Sequence, residues 1–179
     1  MVSLVVTVIM GLGMNLITFS LFGDNPLYCQ GAVENANLAR VIYPEWTARF
    51  YVAQDVPEKY IEEIEGYGAE VVRCEKKNSY DGLNWRFRPL NDPDVHYWIS
   101  RDADSRLSWR ERNAVDEWME SDKAAHLLRD CHNHGYTIMA GMFGINNKLF
   151  HERYGMLNLD NVNANYREAD QTVLQDNLW

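Results

Sequence analysis

Two aspartate pairs, Asp92/Asp94 and Asp102/Asp104, are the side chains of this 179-residue sequence best placed to act together. Residues two apart on an extended segment point the same way, so either pair can set two carboxylates on one hard cation. Mg²⁺ or Mn²⁺ held by two carboxylates keeps open positions for phosphate oxygens. It can then neutralise a diphosphate and offset the charge that grows on it as a bond to it breaks. Asp92-Pro93-Asp94 sits among turn formers, where acids are ordinary. Asp102 and Asp104 come just beyond the apolar run VHYWIS from Val95 to Ser100, with Arg101 between, and ligands of open α/β sheets bind at the carboxyl ends of strands. The competing reading makes them solvated loop acids or a cap for the next helix.

Two other chemistries compete. An aspartate-nucleophile phosphatase also carries Asp-x-Asp at a strand end, but it wants the first Asp directly after the apolar run and a lysine further on. Here Ser100 and Arg101 intervene, and Lys148 is the only lysine after Lys123. His126, Cys131, His132 and His134 suggest zinc, yet they lack a second Cys or His pair at the usual spacing. Trp85, Trp98 and Trp118 read as core residues rather than ligand-stacking ones, and Glu58, Glu62, Glu63 and Glu65 as a solvated helix face.

The elements that must position these groups alternate between strand-like and helix-like, which predicts an α/β domain with a largely parallel sheet. Strands are expected at 15–22, 49–53, 69–74 and 95–100, with shorter ones at 125–128 and 137–142. Asn25-Pro26 offers a cap and a first-turn proline for a helix ending by Pro44. Asp55, Pro57 and Glu58 open a second, ending near Gly66 and Gly68. Ser108 and Glu111 form a capping box for a third, through Met119. A last helix is expected over 163–174. No proline- or glycine-rich linker divides the chain, so one domain over 14–179 is expected.

Composition excludes some partners. The formal charge is −9 and the 17 basic residues are scattered, which argues against nucleic acid. An acidic protein still binds an anionic ligand if a metal supplies the positive charge. Three widely spaced cysteines, Cys29, Cys74 and Cys131, fit a reducing, cytoplasmic setting better than a disulfide framework. The first 22 residues carry no charge and no Lys or Arg precedes Arg40. The expectation is an apolar extension over 1–13 leading into a buried strand. A membrane-associating segment within 1–22 and a signal peptide are the alternatives.

Several segments in order resemble the GT-A class of nucleotide-sugar glycosyltransferases, in particular a group of small bacterial and viral members. They are Phe19-Ser20-Leu21-Phe22-Gly23-Asp24-Asn25, Arg49-Phe50-Tyr51-Val52, Trp85-Arg86-Phe87 and Ser100-Arg101-Asp102-Ala103-Asp104-Ser105-Arg106. Ala114-Val115-Asp116-Glu117-Trp118, Arg129-Asp130 with His134, Gly141-Met142-Phe143-Gly144 and Asp170-Gln171 with Leu174 complete the set. The resemblance implies a single GT-A, Rossmann-like domain with helices on both faces of its sheet. It implies transfer of a sugar from a nucleotide-diphosphate donor to a glycan or other hydroxyl acceptor, with Mn²⁺ or Mg²⁺ as cofactor.

By the same resemblance, Asp102 and Asp104 would hold the metal. Phe19, Ser20, Asp24, Arg86, Arg101, Asp102, Gly141, Met142 and His134 would contact the donor, with Gly141 to Gly144 as a bare floor under the sugar. Asp170 and Gln171 would lie beside the reacting carbon, with Asp130 as a base or a partner for sugar hydroxyls; read without the resemblance, Asp130 is equally a turn acid. The sequence departs from the group at Cys131-His132, where a His and Pro are usual. It also lacks a Trp-Pro and His-Asp tail after the last helix, which implies a C-terminally short form. A non-catalytic nucleotide-sugar-binding domain is the alternative that this departure raises.

Overall fold

A computed structural model describes residues 13–78, 80–129, 135–157, 166 and 169–178. Six strands form one sheet: β1 (Met14–Leu21), β2 (Thr47–Ala53), β3 (Glu70–Cys74), β4 (Val95–Arg101), β5 (Ala125–Leu127) and β6 (Met142–Asn146), in the order β3-β2-β1-β4-β6-β5. The first four run parallel, and β6 is antiparallel to both of its neighbours. Strands buried on both faces need apolar residues in nearly every position, which is why β1 and β2 read as short continuous apolar runs.

Helices cover both faces, as expected. On one side α1 (Pro26–Ile42), α2 (Glu58–Gly66) and α3 (Trp109–Met119) pack on Ile17, Phe19, Leu21, Phe50, Val52 and Ile99. On the other, a 3₁₀ segment (Asp81–Asn91), α4 (Asn147–Tyr154) and α5 (Ala169–Leu178) pack on Leu16, Trp98, Phe143 and Ile145. The alternation of Leu16 and Ile17, or of Trp98 and Ile99, between the two cores is the two-residue period of a strand. Helix starts follow the sequence: Asn25 Oδ1 accepts from Leu27 N at 3.0 Å, and Ser108 Oγ from Glu111 N at 3.3 Å.

Three expectations shift. The strand expected over 137–142 is instead Met142–Asn146. The run before it is a bend that ties β4 down, with Ser100 Oγ donating to Ala140 O at 2.6 Å. The last helix, expected over 163–174, is described over Ala169–Leu178 and so runs further toward the C-terminus, while 163–165 and 167–168 lie outside the described residues. The 3₁₀ segment and α4 are additional. Thr18 Oγ1, fully buried in β1, donates to Arg86 O at 2.8 Å and so fixes the 3₁₀ segment over the sheet. Asn146 Oδ1 caps α4 through Leu149 N at 3.0 Å. Among the described residues no helix is long and apolar enough to cross a membrane. Cys29 and Cys74 are free and buried, and burial pushes both thiols up from their ordinary pKa.

Candidate active site

The two aspartate pairs lie at opposite ends of β4. Asp92-Pro93-Asp94 precedes it as a turn: Asp92 Oδ1 accepts from Asp94 N at 3.0 Å, and Asp92 O from Val95 N at 3.1 Å. Asp102 and Asp104 follow its carboxyl end. Their loop is clamped against α1, where Asn35 donates to Ser105 O at 2.7 Å and accepts from Leu107 N at 3.1 Å. Gly31 permits this approach, since a Cβ there would fall 2.0 Å from Ala103 O. Ala103 is thereby turned inward and buried, while Asp104 is exposed and Asp102 half-buried.

Asp102 is held between two neighbours. Arg86 Nη1 donates to its Oδ1 and also to Arg101 O at 3.1 Å. Gly141 lies against its other oxygen so closely that a Cβ would come within 2.0 Å of Oδ2. Arg86 is itself almost fully buried and reaches Asp170 Oδ2 with Nη2 at 2.8 Å. Burial pulls the Arg86 guanidinium down, but the flanking carboxylates of Asp102 and Asp170 more than offset this, and its pKa is raised. The guanidinium thus joins the 3₁₀ segment, the β4 end and α5. Gln171 adds a second tie, its Oε1 accepting from Ala140 N at 3.0 Å.

The remaining expected residues divide clearly. Ser20 Oγ accepts from Arg86 N at 3.2 Å, so it positions the arginine's backbone. Asp24 is exposed in the loop after β1, beyond Gly23, whose φ of 76° suits a residue without a side chain. Met142 is half-buried at the head of β6. Phe19, expected on the donor, is fully buried and stacks on Phe50 at 4.5 Å with rings 7° apart, so its side chain serves the core. Arg101, also expected on the donor, is buried and spends its guanidinium on Glu111, on Ser100 O at 2.7 Å and on Phe143 O at 3.1 Å. Gly144 is a packing glycine, since a Cβ would press Ile99 Cγ2 at 2.8 Å and Trp118 Cζ3 at 3.0 Å. Asp130 and His134, with Cys131 and His132, lie outside the described residues. His126 is in β5, stacked on Trp118, and burial followed by the nearby Arg101 charge pushes its pKa down to about 4.

A cavity of about 970 Å³ opens at this end of the sheet, lined by Asp102, Asp104, Gly141 and Met142, the first turns of α3, and Leu128 and Arg129. A volume of this order suits a small-molecule or cofactor site. Sequence reasoning missed a second feature at the same end. Asp55 Oδ1 accepts from Gly23 N at 2.8 Å, and its other oxygen meets Lys76 Nζ. The Lys76 contact and the Gly23 hydrogen bond outweigh burial and lower the Asp55 pKa. Asp55 had looked like the opener of α2; its place in the turn after the second apolar run was the available signal.

The fold matches solved structures. The mannosyltransferase PcManGT from Pyrobaculum calidifontis, in complex with GDP-Man and Mn²⁺, superposes with a TM-score of 0.51 at 10% identity, over 89% of this chain and 51% of that one. S. aureus TarS superposes with a TM-score of 0.58 at 10% identity, over 92% of this chain and 56% of that one. The chain therefore has a GT-A-type, Rossmann-like α/β fold, and it spans about half the length of these structures. No family model matches the chain, and no curated protein is similar to it in sequence.

Proposed function

We propose that the chain is a glycosyltransferase domain that takes a sugar from a nucleotide-diphosphate donor and passes it to a hydroxyl acceptor, with Mn²⁺ or Mg²⁺ at Asp102 and Asp104. The observation that carries this is the carboxylate of Asp102, at the carboxyl end of β4, held by Arg86 on Oδ1 and left open by Gly141 at Oδ2. The likeness to a mannosyltransferase solved with GDP-Man and Mn²⁺ supports it at the level of the fold.

The residues present fit a hard cation. Both donors are carboxylate oxygens, the kind Mg²⁺ and Mn²⁺ prefer, and both line the same cavity. Asp104 has no hydrogen bond or ion pair among the described residues, and the Oδ2 of Asp102 is equally without a partner there. No described group of three or more His, Cys, Asp or Glu side chains is arranged around one point, so two protein ligands, completed by donor phosphate oxygens and water, are what this site would offer. When bound, the cation supplies positive charge against the diphosphate as the sugar leaves.

The chain's own residues do the rest. Arg86 fixes the rotamer of Asp102, and Asp170 fixes Arg86, so the metal-facing oxygen is set before any ligand arrives. Asp24 and Ser20 place the loop after β1 beside the nucleotide. Gln171 holds the Ala140-Gly141 backbone under the sugar through its bond to Ala140 N. Asp130 and His134 stay in this reading as the base or the hydroxyl partners. The phosphatase alternative loses ground, because Lys148 lines a separate cavity with Asp92 and His96 at the opposite end of β4.

Thermal-shift measurements with nucleotide diphosphates and their sugars, each with Mn²⁺ or with chelator, test this reading. A ligand bound only by the native state raises the melting temperature by linkage. A Mn²⁺-dependent rise followed by turnover of the matching nucleotide sugar is the expected result. A rise without turnover would mark a binding domain, and no rise with any nucleotide would overturn the reading.

A further inference from the structure

The cavity beside Asp102 has a second wall whose charges the donor reading does not use. Four arginines line the cavity. Arg101 is neutralised by Glu111, and Arg106 by Glu34 of α1. Arg110 and Arg129 have no carboxylate partner among the described residues, and both are exposed. Among the described residues Arg129 donates to the Thr137 carbonyl, at 2.9 Å. They come from different elements, Arg110 from the first turn of α3 and Arg129 from just beyond β5, yet they face one space.

Neither guanidinium is explained by stability. A cation in the first turn of a helix opposes the helix dipole, so Arg110 does not serve α3. An exposed arginine with one carbonyl contact adds little to the fold. Among the described residues the acids on the lining without an ion pair are Asp104, at the proposed cation end, and Glu117, seven residues and roughly 10 Å along α3 from Arg110. In a chain of net charge −9, two guanidiniums without counter-ions among the described residues, converging on one cavity, form a local seat for an oxyanion.

Given the glycosyltransferase reading, on which this rests, we infer that the acceptor is acidic, bearing a phosphate or carboxylate group that Arg110 and Arg129 seat while its hydroxyl faces the donor sugar. The donor's own phosphates belong at Asp102 and Asp104. The two arginines stand along the lining toward α3 and β5, where a second substrate would enter.

The test uses the full chain with Mn²⁺ and GDP, and in parallel with Mn²⁺ and UDP. Each complex is titrated with glucose, glucose 6-phosphate and glucuronate. The expected result is at least about tenfold tighter binding of one of the acidic sugars than of glucose. Arg110→Gln combined with Arg129→Gln should erase that preference, leave nucleotide affinity within about twofold, and leave the melting temperature of the free protein unchanged. Equal binding of charged and neutral sugars, or binding of none while the nucleotide still binds, would overturn the inference and leave the donor reading standing. Loss of nucleotide affinity in the double variant would overturn it too, by assigning the arginines to the donor's phosphates. Absence of nucleotide binding in the unaltered protein would remove the donor reading, and this inference with it.

Discussion

Arg86 and Asp170 are 84 residues apart in sequence and 2.8 Å apart in space, and both are almost entirely buried. A buried pair contributes little relative to an apolar substitute, but breaking it strands a charge and costs about 3 kcal/mol or more. Asp170→Leu is therefore expected to destabilise the protein by about 3 kcal/mol in urea unfolding. A change under about 0.5 kcal/mol would show that Asp102 alone neutralises Arg86.

Arg86→Lys keeps the charge and removes the fork that spans Asp102 and Asp170. A lysine ammonium is a point donor and cannot serve two carboxylates in fixed directions. Nucleotide-sugar affinity or turnover is expected to fall at least about tenfold, roughly 1.4 kcal/mol. Kinetics equal to the parent would place Arg86 among purely structural residues.

The exposed carboxylate of Asp104 invites a cleaner substitution. Asp104→Asn should leave the melting temperature of the free protein unchanged and abolish the extra stabilisation that a nucleotide diphosphate gains from Mn²⁺ over chelator. Retention of that Mn²⁺-dependent difference would remove Asp104 from the cation site.

Gly141→Ala places a methyl group 2.0 Å from Asp102 Oδ2. One side must shift, and the carboxylate rotor is softer than backbone pinned through Ala140. Metal-dependent nucleotide binding is expected to weaken at least about tenfold, with a smaller effect on unfolding. Unaltered Mn²⁺-dependent affinity would show that the geometry of Oδ2 is unimportant.

His126 supplies a pH dependence. Burial, with the Arg101 charge beside it, holds its folded pKa near 4, below the ordinary 6.5 of the unfolded chain. Between those values the unfolded state binds the extra proton, so this contribution is full above about pH 6.5 and is lost as pH falls toward 4. The melting temperature of the parent should therefore fall relative to that of His126→Phe on acidification across that window. Parallel profiles would mean that His126 titrates freely.

Much of this arrangement is visible in the chain itself. β1 to β4 are legible because strands covered on both faces are short apolar runs, and Asn25 and Ser108 announce their helices. Asp102 and Asp104 stand out because they come just beyond the end of such a run. β6 was misplaced because Thr137 to Met142 is apolar enough for a strand, while Gly144 looks like a loop glycine; in space it is the strand residue that lets Trp118 approach. The 3₁₀ segment leaves no periodic trace, since Pro89 and three charged residues interrupt it. The Arg86–Asp170 contact cannot be read at all, because nothing in either local sequence encodes a partner so far away.

The sheet's two outer strands carry a consequence for behaviour at high concentration. Among the described residues the sheet ends on β3 and β5. β5 is three residues long, too short to template a strand from another molecule. β3 presents Glu70 and Arg73 outward, and each is tied to a charge on its own chain, Arg49 and Glu58. Short or charged borders of this kind discourage intermolecular strand addition, so the parallel sheet that makes the ligand end possible is shielded from growing into an aggregate.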